Sequence, residues 1–183
     1  MPYRILTFPE TDQPTFVHFW SRQYDDSNDE LYTENIDLRP LTPHAVRELF
    51  RWKNGGKLSQ RKRQSVEQHF VARLHELQDF QGEFDAASFF ERFQGNTRPI
   101  WRIFFLHIHQ PDRFPIFDQH VFRAMRYIQA GTVAELPGDP VQIYMQDYRH
   151  FHEGFGVHQG RAVDKALWAF GKFLKLHYQF DEA

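Results

Sequence analysis

One carboxylate stands where chemistry can use it. In Phe114-Pro115-Ile116-Phe117-Asp118-Gln119-His120-Val121-Phe122-Arg123, Asp118 follows an apolar run and precedes Val121, Phe122, Met125 and Ile128 at helical spacing. Pro115 keeps the backbone before it extended, and Asp118 takes the place of a helix N-cap. A carboxylate held by backbone donors at a helix start stays ionised and points out of the fold. It can then steady a developing positive charge. The same arrangement is also an ordinary way to begin a helix, and the two readings are compatible.

Other residue types suit nucleic acid. Arg47, Arg51, Lys53, Lys57, Arg61, Lys62 and Arg63 stand against Glu48 alone, with Trp52 among them. Such a stretch can grip phosphates or form a solvated helix face. Before it runs an acidic stretch, Asp25, Asp26, Asp29, Glu30, Glu34 and Asp37, with no base. The two stretches can pair within or between chains. Trp52, Trp101, Tyr127 and His120 are candidates to surround an extruded base, although Trp52 and Trp101 suit a core equally well. His107 with His109, and His150 with His152, are i, i+2 pairs, which point to different faces of a helix and do not chelate by themselves. Asp118 and His120 share that spacing. Neither a resident metal nor a cofactor is expected. Gly-x-Ser-x-Gly, His-Glu-x-x-His and phosphate-cradling glycine loops are absent from the sequence.

These residues need a scaffold. The chain has 183 residues, 41% of them hydrophobic, which suits one domain with a real core. Aromatics reach 17% and include 20 phenylalanines, so phenylalanine layers are expected in that core. A net charge of −2 gives no global pull toward nucleic acid. Without cysteine, disulfides and thiolate-held clusters are excluded. No apolar run is long enough for a membrane span, and Met1 to Glu10 lacks the order of a signal peptide. A cytoplasmic protein is the expectation.

Tyr3 to Phe8 reads as a short strand and Pro14 to Tyr24 as a helix with Phe16, Val17 and Trp20 on one side. The acidic stretch reads as a loop. Thr42-Pro43 starts a helix that ends near Gly55-Gly56. Ser59 starts a longer one through Val66, Phe70, Leu74 and Leu77, and Asp85 caps a short one through Phe93. Pro99 to His109 is apolar on nearly every side, the mark of a buried central helix. The Asp118 helix closes at Gly131. Pro140 to His152 and Val163 to Tyr178 complete the set, with Gly171 allowing close approach of a neighbour. The fold class is mainly α, a single helical domain over 1–183. It divides into an N-terminal strand, helix and acidic loop (1–40), a basic helical part (41–93), and hairpin-like and C-terminal helices (94–183).

The succession of buried helix, short turn and Phe-Pro-Ile-Phe-Asp-Gln-His-Val-Phe-Arg resembles the helix-hairpin-helix DNA glycosylase superfamily, the endonuclease III and adenine-glycosylase type. There a hairpin helix leads to Pro-Val-Asp-Thr-His-Val-x-Arg, whose aspartate is catalytic. Asp118, His120, Val121 and Arg123 match that segment, with Pro115 shifted by one position. Asp164 to Gly171 is similar to the later family helix that packs behind the site. The resemblance covers roughly 94–175. It implies a helical fold, Asp118 as the catalytic carboxylate, and DNA as partner. Departures accompany it. Of the family's Gly-x-Gly phosphate-holding turn only Gly95 survives, and Arg98 can supply the contact instead. No lysine lies between Lys62 and Lys165, so the Schiff-base route of lyase-competent members is not expected.

The reading is therefore a divergent monofunctional DNA base-excision glycosylase that uses Asp118 on a flipped-out nucleotide. The alternative is a non-catalytic nucleic-acid-binding or protein-interaction module on the same scaffold. Arg123 and the basic stretch would contact the nucleic acid in either case. The lesion, the choice of DNA or RNA, and the oligomeric state are left open.

Overall fold

Short polar side chains start the helices where the sequence places them. The structure is a computed structural model that describes residues 10–80, 85–94, 98–156 and 160–177. Asp12 caps α1 (Gln13–Ser21) by accepting from the Thr15 amide. A single turn, α2 (Glu30–Thr33), interrupts the acidic stretch, which was expected to be loop throughout. Thr42 accepts from the Ala45 amide at 3.1 Å and starts α3 (Pro43–Lys53), with Pro43 at its first position. Ser59 caps α4 (Gln60–Val66) and Asp85 caps α5 (Ala86–Arg92). Then come α6 (Pro99–His109), α7 (Gln119–Ala130), α8 (Pro140–Ile143), α9 (Arg149–Glu153) and α10 (Gly160–His177). The fold is mainly α, with no strand among the described residues. Tyr3–Phe8 lies outside them.

Two expected uniform helices are not uniform. After α4 the chain widens into a π-helical turn over Glu67–Val71 and then tightens to 3-10 over Leu74–Asp79. Between α8 and α9 a second π-helical turn covers Tyr144–Tyr148. Apolar spacing of three to four residues marks a buried stripe but does not fix the local winding. Tyr144 and Tyr148, at the two ends of that turn, are both buried.

The core is one continuous cluster built largely of phenylalanine. Along α6 every side chain from Ile103 to Ile108 is buried, so this is the central helix. Phe50 of α3 stacks on Phe70 at 4.5 Å and meets Phe104 edge-on at 5.4 Å. Phe93 meets Phe105 edge-on at 5.2 Å. Offset and edge-to-face contacts of this kind are each worth about 0.5–1.5 kcal/mol beyond burial. α10 packs against both α7 and α1. At the α7 crossing, Gly171 faces the backbone of His120 with no room for a side chain. No described helix is long and apolar enough to cross a membrane.

His107 is a polar side chain inside this core. It is committed to the Tyr32 hydroxyl at 2.8 Å and to the Phe114 carbonyl at 2.6 Å. Burial pushes its pKa down to about 4, against the opposing pull of the Asp164 carboxylate and the Phe114 carbonyl. The unfolded chain therefore binds this proton first. Between pH 6.5 and about 4 the native state holds fewer protons, so stability falls as pH falls through that window, by about 3 kcal/mol in all. Urea unfolding of wild type and His107→Phe at pH 7.5, 6 and 5 checks this. The variant is expected to lose the slope, and parallel slopes would count against the assignment.

Candidate active site

Asp118 reaches its place by two local rules. Pro115 and the buried side chains of Phe114, Ile116 and Phe117 hold the approach extended along the core. The carboxylate then caps α7, with Oδ1 accepting from the amides of His120 at 2.8 Å and Val121 at 3.3 Å. Its other oxygen, Oδ2, accepts from Lys53 Nζ at 2.9 Å. Lys53 lies at the last turn of α3, and its side chain is 7% exposed against 18% for Asp118. Burial pulls the Asp118 pKa up. The Lys53 charge and hydrogen bond, the nearby His120 and the Val121 amide outweigh it and hold the group below the ordinary carboxylate value. Asp118 is therefore a firmly ionised carboxylate at neutral pH.

The pair opens into a cavity of about 310 Å³, at the low end of the range for small-molecule sites. Ile116, Asp118 and Val121 contribute one side of it. A second wall is the face of α10 that carries Arg161, Asp164, Trp168 and Lys172, spaced three and four residues apart on one helical row. Tyr24, Trp52 and Lys53 line it as well. Tyr24 and Trp168 meet at 5.2 Å between ring centroids. The lining joins flat aromatic faces to charged groups of both signs.

The acidic stretch supports this wall. Asp29 is buried and accepts from Trp52 Nε1 at 3.1 Å, from Lys165 at 2.8 Å and from Arg161. Lys165 also pairs with Asp26. Burial raises the Asp29 pKa, and the Lys165 and Arg161 contacts more than reverse that. The Arg161 guanidinium lies over Tyr32 at 4.6 Å and Trp52 at 5.0 Å. Asp26 and Asp29 thus take their cations from α10 and not from the basic stretch, a pairing the sequence left open.

The predicted site residues separate into groups. Asp118 and Trp52 line the cavity. Lys53 lines it too, as the ion-pair partner of Asp118 instead of a free phosphate contact. His120 stands beside it, its ring edge-on to Trp168 at 5.2 Å. Trp101 and Tyr127 do not line it. Trp101 packs on Phe50 and Phe70, and Tyr127 packs edge-on to Phe170, because the apolar rows of their helices face the core. Arg123 is 1% exposed and donates to Glu135 at 2.7 Å. A guanidinium buried this way cannot reach a phosphate, so that expectation is corrected.

Arg47 makes a two-bond pair with Glu67, and Arg51 pairs with Glu48. Both line a separate groove of about 370 Å³ with Lys57 and Arg63. Lys62 donates to Asn54, while Arg61 and Arg63 are exposed. Arg98 is exposed at the start of α6, and Gly95 lies outside the described residues.

Sequence reasoning missed Tyr24, Arg161, Asp164, Trp168 and Lys172 as cavity residues. The signal available was the polar row on α10, read at the sequence level as a helix behind the site. The lysine beside Asp118 is Lys53, which arrives from α3 and was read only as part of the basic stretch. No protein-family model matches the chain, and neither a curated protein nor a solved structure matches it.

Proposed function

We propose that the protein is a divergent DNA base-excision glycosylase that hydrolyses an N-glycosidic bond at Asp118. The observation that carries the reading is an ionised carboxylate at a helix start, facing a cavity of nucleobase scale walled by Trp52, Trp168 and Tyr24. Aromatic walls suit an extruded base, which stacks on them. The departing base takes the bonding electron pair, the sugar gains oxocarbenium character, and Asp118 offsets that charge. Water adds at the sugar C1′ and its proton goes to the base. Lys53 holds Asp118 in place. Its side-chain nitrogen is already engaged by the Asp118 carboxylate at 2.9 Å. That argues for water over the lysine as nucleophile.

The test is incubation of the purified chain with duplexes carrying uracil, hypoxanthine, alkylated purines or oxidised purines, followed by alkaline cleavage. Abasic sites are expected on at least one substrate, with a loss of about 100-fold or more in Asp118→Asn. Absence of abasic sites across the panel, or full activity in the variant, overturns the proposal. A borohydride-trapped adduct that disappears in Lys53→Met overturns the hydrolytic route.

A further inference from the structure

Among the described carboxylates that line the cavity with Trp168, Asp164 is the buried one with an oxygen to spare. Its side chain is 8% exposed, and Oδ1 meets His152 Nε2 at 3.2 Å. Oδ2 takes no hydrogen bond from the described residues and is not fully enclosed. Asp164 lies one helical turn before Trp168 on the same row, and it also borders a larger cavity of about 940 Å³ on its other side. A carboxylate with acceptor capacity to spare thus borders the cavity that holds Asp118, one helical turn from Trp168.

We infer that Asp164 reads the edge of the extruded base and selects guanine-type bases, those with a ring N–H next to an exocyclic amine. This rests on the nucleotide-binding reading of the cavity. A carboxylate accepts hydrogen bonds and does not donate them. A flipped base is read along its pairing edge. Guanine and its oxidised or alkylated forms that keep N1–H and the 2-amino group offer two adjacent donors there. Hypoxanthine offers the ring N–H alone. Uracil flanks its single N–H with carbonyl oxygens, which face a carboxylate unfavourably. Adenine and cytosine place a ring acceptor beside their amine, so a lone pair opposes the carboxylate. Buried polar groups left unpaired in this way discriminate strongly between substrates. His152 takes one acceptor site of Oδ1 and so orients the carboxylate, and the remaining sites on Oδ1 and Oδ2 are left to meet two adjacent donors.

Two measurements test the inference. The first is binding of short single-stranded oligonucleotides that carry one central guanine, hypoxanthine, adenine or cytosine in a thymine context. Fluorescence anisotropy is expected to rank guanine first, about 10-fold or more tighter than adenine or cytosine, with hypoxanthine between. The second is the Asp164→Asn variant, checked for folding by circular dichroism. Asparagine presents a donor beside an acceptor, which matches adenine, so the guanine preference is expected to vanish and adenine to gain. Equal wild-type affinities for all four oligonucleotides overturn the inference even if the variant fails to fold. Where excision is also observed, a variant that slows every base alike overturns base reading while leaving the glycosylase proposal standing. Guanine-selective binding without excision has the opposite meaning: the cavity reads the base and the hydrolytic proposal fails.

Discussion

Gly171→Ala is expected to lower the stability of this protein by about 3 kcal/mol, the upper part of the usual cost of overpacking. A Cβ at this position would lie 1.8 Å from the carbonyl oxygen of His120 and 2.5 Å from its carbonyl carbon. Both atoms are backbone in the first turn of α7, so no side-chain rotation relieves the overlap. α7 and α10 must move apart, and with them Asp118 and the wall that faces it. For a domain of this size the change corresponds to a fall of about 6–12 °C in Tm. Gly138→Ala is the control. It lies in the loop before α8, with open space around the new methyl group and no positive φ. Thermal unfolding of both variants checks the prediction. Equal Tm values for the two would mean that the helices can separate freely, and the close crossing would lose its structural role.

Lys53→Met is expected to cost about 3 kcal/mol, because it leaves Asp118 charged and largely buried without its cation. The two amide bonds from His120 and Val121 remain and keep the loss from being larger. Lys53→Met/Asp118→Asn removes both charges and is expected to recover much of the stability, giving a coupling of about 2 kcal/mol in a double-mutant cycle. Simple additivity of the two single changes would remove the pair from the account. The pH dependence has a definite sign. Asp118 in the native state sits below its unfolded value, so the unfolded chain binds this proton first. Its contribution is complete above about pH 4 and is lost as pH falls through the native value. In Lys53→Met, burial is no longer opposed by the lysine, the native value rises, and acid unfolding is expected to begin at a higher pH. Denaturant titrations at a series of pH values would show the shift.

The proposed chemistry and the structural role of Asp118 rest on the same atoms. One oxygen caps α7 and the other holds Lys53, so a substrate that uses Oδ2 competes with the lysine and not with the helix. Asp118→Asn can keep the cap while losing the charge, which makes it the better probe of chemistry. Lys53→Met is the better probe of the fold.

Local signals in the chain were enough for the helices and for the cap. Thr42-Pro43, Ser59, Asp85 and Asp118 each start a helix through an oxygen placed a few bonds from the amides it satisfies. The run from Ile103 to Ile108, apolar but for His107, identifies the central helix, since no amphipathic surface helix can hide every face. Gly171 was legible as a close crossing, although not which backbone it met. These features depend on neighbours in sequence, and composition and periodicity carry them.

What surrounds Asp118 is another matter. Lys53 stands 65 residues away in sequence, and Asp29 meets Arg161 across 132. Nothing in local spacing distinguishes the base that pairs with Asp118 from the bases that pair with Glu48 or Glu67. Arg123 matched a motif in sequence, but its position on α7 turned it inward to Glu135. Trp101 and Trp52 read alike along the chain, and only packing sent one into the Phe50 and Phe70 layer and the other to the cavity. The sequence alone determined the α-helical elements, their caps and one ionised carboxylate. The tertiary structure decided that carboxylate's partner and the cavity it faces, because charge pairing and burial act through space between helices whose relative placement no local pattern specifies.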